Sequence, residues 1–177
     1  MIYFLPNVLP IHECERLTKI FDEERIYTAS VDNEYSGTKN SYGFRPSFRF
    51  DNYLETFKPK IFEYNKDINW VNNVNTFIRE YKNGSILEKH IDRRDISVTM
   101  SVCLESTIKS SWSIYANVNN KEYSFTTNVG DAVLLFDADK TVHWRNELVC
   151  DEAERVVQFF LHWQPIEINM KNIQSII

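Results

Sequence analysis

His90-Ile91-Asp92 is the one place in this 177-residue chain where an acid stands two residues after a histidine. On an extended backbone, side chains two positions apart share a face, so both donors can reach one ion. A third donor, His143, follows Asp92 by 51 residues. Two imidazoles and one carboxylate on one side of a metal leave three coordination positions open, a donor set that suits a non-haem Fe(II) centre handling O2. The other two histidines are less suggestive. His12 falls on an N-terminal helical pattern, and His162 alternates with Trp163 on a strand pattern, where a hydrogen-bonded structural role is expected. Cys14, Cys103 and Cys150 are odd in number and lack paired spacing, which argues against a disulfide framework and a CxxC zinc site.

The surroundings of these donors carry a resemblance. Tyr81-Lys-Asn-Gly84-Ser-Ile-Leu-Glu-Lys-His90-Ile-Asp92 resembles the YxxGxxxxxHxD segment of prolyl-4-hydroxylase-like 2-oxoglutarate/Fe(II) dioxygenases. The next segment, Ser97 to Leu104, is similar to the strand that follows in that family, with Thr99 where a threonine is common. Gly130-Asp131-Ala132-Val-Leu-Leu-Phe136 looks like its GDAxxF strand, and His143 then falls at the distal iron ligand. The resemblance covers about residues 74–163, with a weaker match at the helix over 11–23.

That resemblance implies iron held by His90, Asp92 and His143, with 2-oxoglutarate and O2 as cosubstrates. It implies decarboxylation of 2-oxoglutarate to succinate, coupled to hydroxylation of an amino-acid or peptidyl side chain, prolyl included. Arg155, twelve residues after His143, falls where a basic residue binds the distal carboxylate of the cosubstrate. A guanidinium suits that task because its fork of parallel donors matches a carboxylate and keeps its charge. Period two puts Arg155 with Val157, Phe159 and Leu161, the face expected to line the barrel. Arg145, two residues after the distal histidine, is the rival anchor. Tyr81 would add a phenol hydrogen bond, and Thr99 with Ser97, Ser101 and Cys103 forms a face of small side chains that leaves space for a ligand. Trp144 is expected in the core or pocket wall, with its place beside His143 the one argument for stacking on substrate, and Arg93 and Arg94 would sit at the rim. The chain departs from the family pattern at Leu87, where a second tyrosine is common, and at Ser110-Ser111-Trp112, where Gly-Gly is usual.

Composition bounds the alternatives. Net charge is −5, which argues against a sequence-independent grip on phosphate and so against a nucleic-acid-base oxidase of the same chemistry. No apolar run approaches the ~20 residues of a membrane helix. A small-molecule or peptide substrate, no membrane and a cytoplasmic, reducing setting are the expectations. The main rival is a jelly-roll module that binds a metal or ligand without turnover; a carboxylate anchor beside the metal separates the two.

The elements that must position these residues can be read from periodicity. Apolar residues at 11, 14, 17, 20 and 21 after Pro10 predict an amphipathic helix, and Tyr53, Leu54, Phe57, Ile61 and Phe62 predict a second over 52–64 despite Pro59. Residues 24–50 read as short strands and loops, with 32–50 a candidate lid over the site. Residues 74–81 predict a strand that ends in a turn at 82–85. Ile96, Val98, Met100, Val102 and Leu104 alternate with Ser97, Thr99, Ser101 and Cys103, a strong strand signal. Further strands are expected at 111–118, 121–127, 132–136 and 154–163. Short strands following helices predict a single domain over 1–177 built as an antiparallel sandwich or jelly roll. The resemblance implies, more narrowly, an α+β, mainly β double-stranded β-helix (jelly roll) with N-terminal helices packed on one sheet.

Overall fold

The computed structural model describes residues 1–30 and 38–166. Its elements run in the order β1 (Ile2–Leu5), α1 (Ile11–Glu24), β2 (Thr38–Phe44), α2 (Asn52–Tyr64), β3 (Val71–His90), β4 (Val98–Ser106), β5 (Ile114–Val118), β6 (Lys121–Phe125), β7 (Ala132–Phe136), β8 (His143–Arg145) and β9 (Val156–Pro165). All pairings are antiparallel, in the order β1-β7-β4-β9-β3-β8-β5-β6, with β2 on β3 as well. The N-terminal part of β3 pairs with β9, and its last residues pair with β8. This strand therefore belongs to both sheets, and the sheet folds over into the expected mainly β jelly roll.

The helices cover the back of the larger sheet. Cys14, Leu17, Ile20 and Phe21 of α1 and Leu54, Phe57 and Ile61 of α2 share one core with Val98, Met100, Val102 and Leu104 of β4 and Val157, Phe159, Leu161 and Trp163 of β9. Each such side chain contributes about 1.5–3 kcal/mol by leaving water. The period-two face of β4 thus does what its pattern demands, because its apolar residues meet helices and its small polar ones turn inward. Pro59 lies on the exposed side of α2, where its missing N–H costs one hydrogen bond and clashes with no core neighbour.

The Gly130-Asp131 pair is a structural bracket. Gly130 has φ +90°, and an added Cβ would stand 2.5 Å from the Leu9 carbonyl oxygen. Asp131 accepts hydrogen bonds from the backbone N–H of Asn7 and of Asn128, both at 2.9 Å. Together they tie the start of β7 to the loop that launches α1.

Two expectations change. The turn at 82–85 does not end a strand: the chain runs on through it as a bulge opposite Asn40, with Gly84 at φ +76°. The bend is what lets β3 leave β9 and reach β8. The candidate lid also divides. Residues 38–44 form β2, paired along β3, and 48–50 form a 3-10 turn, so neither is a lid; residues 32–37 lie outside the described residues.

Candidate metal centre and cavity

The end of β3 and the short β8 pair side by side, with His90 opposite His143. The Nε2 atoms of both histidines lie 3.5 Å from Asp92 Oδ1. One donor atom from each of the three residues falls within 4.8 Å of the others, a spacing at which one cation could be shared. Each Nδ1 lies 2.9 Å from the backbone carbonyl two residues earlier, Glu88 for His90 and Thr141 for His143. Those carbonyls accept the Nδ1 proton and leave both Nε2 lone pairs facing inward, the tautomer that a metal requires. Thr99 donates to Asp92 Oδ2 at 2.6 Å, so the carboxylate presents Oδ1. Burial alone would raise the Asp92 carboxyl, but hydrogen bonding to His143 and His90 outweighs it and holds the group well below the usual carboxylate range.

Local backbone bonds fix this geometry. Asp92 N–H donates to the Ala138 carbonyl at 2.9 Å, and Ala138 N–H donates to Ser97 at 3.0 Å. Ser97 Oγ bonds Asp139 Oδ1 at 3.0 Å. The loop after β3 and the turn between β7 and β8 are thus stitched together, which brings a ligand pair and a distant third ligand to one point.

The triad borders a cavity of about 410 Å3 inside the fold. Its wall includes Thr99 and Ser101 of β4, Phe160 and His162 of β9, Asn75, Phe77, Arg79 and Tyr81 of β3, and the aliphatic Ile91, Ile96, Val133 and Leu135. The small inner face of β4 does leave room, as its sequence suggested. Arg79 is only 5 % exposed and donates to Thr38 Oγ1 at 2.7 Å and Ser41 Oγ at 2.8 Å. Burial pulls its pKa down.

Beyond Ser101 the interior closes over Arg145, which is 1 % exposed. Its Nη1 donates to the Trp112 carbonyl at 3.1 Å, and its guanidinium carbon lies 4.6 Å from the Trp112 ring centroid. Its Nε and Nη2 are buried without any hydrogen-bond partner. Tyr81 packs edge-on against Trp112 at 4.9 Å between centroids. Burial raises the Tyr81 hydroxyl pKa, with the charges of Arg79 and Arg145 opposing. The phenol is therefore a proton donor at neutral pH. Cys103 completes this closed end.

Arg155 is not at this site. It donates to both Asp22 carboxylate oxygens at 2.7 and 2.8 Å, to Glu105 at 2.5 Å and to Glu80 at 3.1 Å, on the helix-covered side of the sheet. These acids, Asp22 first, hold its pKa above the usual arginine value. The expectation failed on strand parity. Val157, Phe159 and Leu161 pack under the helices, so the inner residues of β9 are Val156, Gln158, Phe160 and His162. Trp144 is buried, as expected of a core residue, but does not line the cavity: it stacks on Tyr115 at 5.5 Å with Lys89 Nζ 4.3 Å from its ring centroid. His162 lines the cavity, and its Nδ1 has no partner, so it is not the hydrogen-bonded structural histidine expected. Burial, opposed by the Asp92 charge, pushes its pKa down to about 4. Arg93 borders the cavity at the rim and pairs with Asp95. Asn75 and Arg79 escaped sequence reasoning, although both share the period-two face of Tyr81, the one available signal.

No protein-family model matches the chain, and no curated protein sequence matches it. Solved structures do. A viral collagen prolyl hydroxylase from Paramecium Bursaria Chlorella virus-1, in a 2-oxoglutarate complex, aligns with a TM-score of 0.69 at 12% identity over 93% of this chain and 96% of its own. The non-heme alpha-ketoglutarate-dependent epimerase SnoN from nogalamycin biosynthesis aligns with 0.73 at 12% identity, over 93% and 77%. HygX from Streptomyces hygroscopicus, with nickel, 2-oxoglutarate and hygromycin B bound, aligns with 0.66 at 13% identity, over 93% and 82%. The chain thus has the double-stranded β-helix fold of prolyl-4-hydroxylase-like 2-oxoglutarate/Fe(II) oxygenases.

Proposed function

We propose that this protein is an Fe(II)- and 2-oxoglutarate-dependent oxygenase acting on a small-molecule or peptide substrate. The observation that carries the reading is an inward-facing His90/Asp92/His143 donor set bordering a cavity, with the unmatched guanidinium of Arg145 buried behind the wall formed by Tyr81. A module that only held a metal would have no use for a buried cation without an acceptor. The 2-oxo acid is a dianion whose distal carboxylate fits that cation.

His90, Asp92 and His143 would hold the iron, which when bound supplies oxidative decarboxylation of 2-oxoglutarate to succinate and CO2 coupled to oxidation of the substrate. Thr99 orients Asp92 by bonding the oxygen turned away from the two imidazoles. Arg145, with Tyr81 beside it, binds the distal carboxylate as a charge-assisted pair. Ser101 donates to Gln158 Oε1 at 2.8 Å, keeping the floor between Thr99 and Cys103 polar. Phe77, Phe160 and Ile96 keep water from the reacting centre. The related folds named above come from proteins with peptide and small-molecule substrates, so the class of substrate is a separate question.

Anaerobic titration of the Fe(II)-loaded protein with 2-oxoglutarate tests the reading. A new visible absorption band, followed by succinate release on admission of air, is expected. Absence of both, with iron bound, leaves the metal-binding module as the function.

A further inference from the structure

Two cross-strand neighbours in the cavity wall carry polar atoms that the protein leaves unmatched. Asn75 of β3 pairs in register with His162 of β9, flanked by the Phe77–Phe160 pair. Both line the cavity that the triad borders. Asn75 spends its Nδ2 on the Thr76 carbonyl at 3.1 Å, which leaves Oδ1 as a buried acceptor without a donor. His162 Nδ1 is buried without a partner as well. Unmatched buried polar atoms are costly, and two on facing positions of neighbouring strands ask for one ligand group that satisfies both.

We propose that Asn75 and His162 form the specificity element of the substrate cavity, and that the group they recognise is a secondary amide. The amide N–H is donated to Asn75 Oδ1, and its carbonyl accepts from His162 Nδ1–H. The aliphatic part of the substrate lies against Ile91, Ile96, Val133 and Leu135. Burial keeps His162 neutral at physiological pH, so it has one N–H to give. A tertiary amide, the kind that precedes a prolyl ring, has no N–H for Asn75. The element therefore selects against proline at this position. This inference rests on the oxygenase reading, since it takes the cavity beside the triad as the substrate's.

The test uses the full chain loaded with Zn(II) and 2-oxoglutarate, and ligand-observed NMR titration with four probes of one shape: N-methylhexanamide, N,N-dimethylhexanamide, methyl hexanoate and hexanoate. N-methylhexanamide should bind about tenfold more tightly than the other three, the cost of one buried polar atom left unmatched. Asn75→Leu should erase that preference and His162→Phe should weaken all four probes alike, while 2-oxoglutarate affinity is kept in both. Equal binding of the two amides overturns the proposal on the unmodified protein, whatever the variants do. Preference for hexanoate that disappears in Arg79→Met also overturns it, in favour of an anionic substrate. Failure of 2-oxoglutarate to bind counts against the oxygenase reading instead, and the amide series is then read on the Zn(II) form alone. Two more probes, N-acetylvaline N-methylamide and a nine-residue peptide with a central valine, separate a small amide from a peptide chain; binding of neither overturns the proposal.

Discussion

A guanidinium with two nitrogens sealed from solvent and matched by no acceptor costs a protein about 1–3 kcal/mol for each unmade hydrogen bond. Arg145 carries that cost in the closed end of the barrel, next to Tyr81 and Cys103. Its replacement by a flexible apolar side chain relieves the cost, so Arg145→Met should leave thermal stability unchanged or raised. The same change should weaken 2-oxoglutarate by roughly 30-fold or more, given about 2–5 kcal/mol for a buried charged pair and 1.4 kcal/mol per tenfold. Arg155→Ala should behave in the opposite way. It leaves Glu105 without a partner among the described residues, while Glu80 and Asp22 keep Arg25, and should cost about 1–2 kcal/mol by denaturant melts while the folded fraction binds 2-oxoglutarate normally. Calorimetric titration and melts on both variants decide between the anchors. At this scale the sequence was legible for the donor cluster and less so for its surroundings. The His90–Asp92 pair is visible because its spacing is local, His143 was joined to it by the resemblance, and the structure brings the three donors together. The choice between Arg155 and Arg145 depended on which face of a strand meets the helices, and one residue of parity reverses that answer.

Among the elements, β3 does the most to build the site. Over twenty residues it supplies the cavity wall, a bulge that changes sheets, and the first iron-binding candidate at its end. Its pattern was read as a strand and a turn because Gly84 punctuates it, and no local signal says that pairing resumes beyond the bend. The two helices were more transparent, since a 3.6-residue stripe needs only a surface to cover. They are joined to each other through Glu13 on α1, which bonds Arg16 at 2.7 and 2.8 Å and accepts from the Tyr53 hydroxyl of α2. Arg16 is the chief cause that pulls the Glu13 carboxyl down to about 2 from an ordinary 4.5, against an opposing effect of burial. A carboxyl lowered in the folded state adds stability that is present above pH 4.5 and is lost as pH falls toward 2. Half-exposure of Arg16 screens the pair, so the contribution is about 1–2 kcal/mol. Glu13→Gln should therefore be less stable than the parent at pH 6, and the gap should close by pH 2. A gap that persists at pH 2 would assign the effect to packing instead of charge.

For the molecule as a whole, the two sheets meet at the triad, and this is where ligand binding should register as stability. His90 and Asp92 come from the end of β3 and the loop after it, while His143 comes from β8 beyond the turn at 137–141. An unfolded chain separates Asp92 and His143 by 51 residues and cannot offer them together, so a cation that needs all three binds the folded state alone. At a hundredfold excess over its dissociation constant such a ligand adds about 2.7 kcal/mol. For a domain of this size that is a rise in Tm of roughly 5–10 °C. Zn(II) or Ni(II) should produce it in the unmodified protein, and 2-oxoglutarate should add a further increment only after the metal is present, because its keto-acid end needs the ion. The helix-covered back of the sheet, clamped by Arg155 and Arg25 to Asp22, Glu80 and Glu105, takes no part in either step. His143→Ala should accordingly lose both increments, and Arg145→Met should keep the first and lose the second. If 2-oxoglutarate stabilises the metal-free protein as strongly as the loaded one, the cosubstrate is held by the protein alone, and the triad and the guanidinium do not act on one molecule.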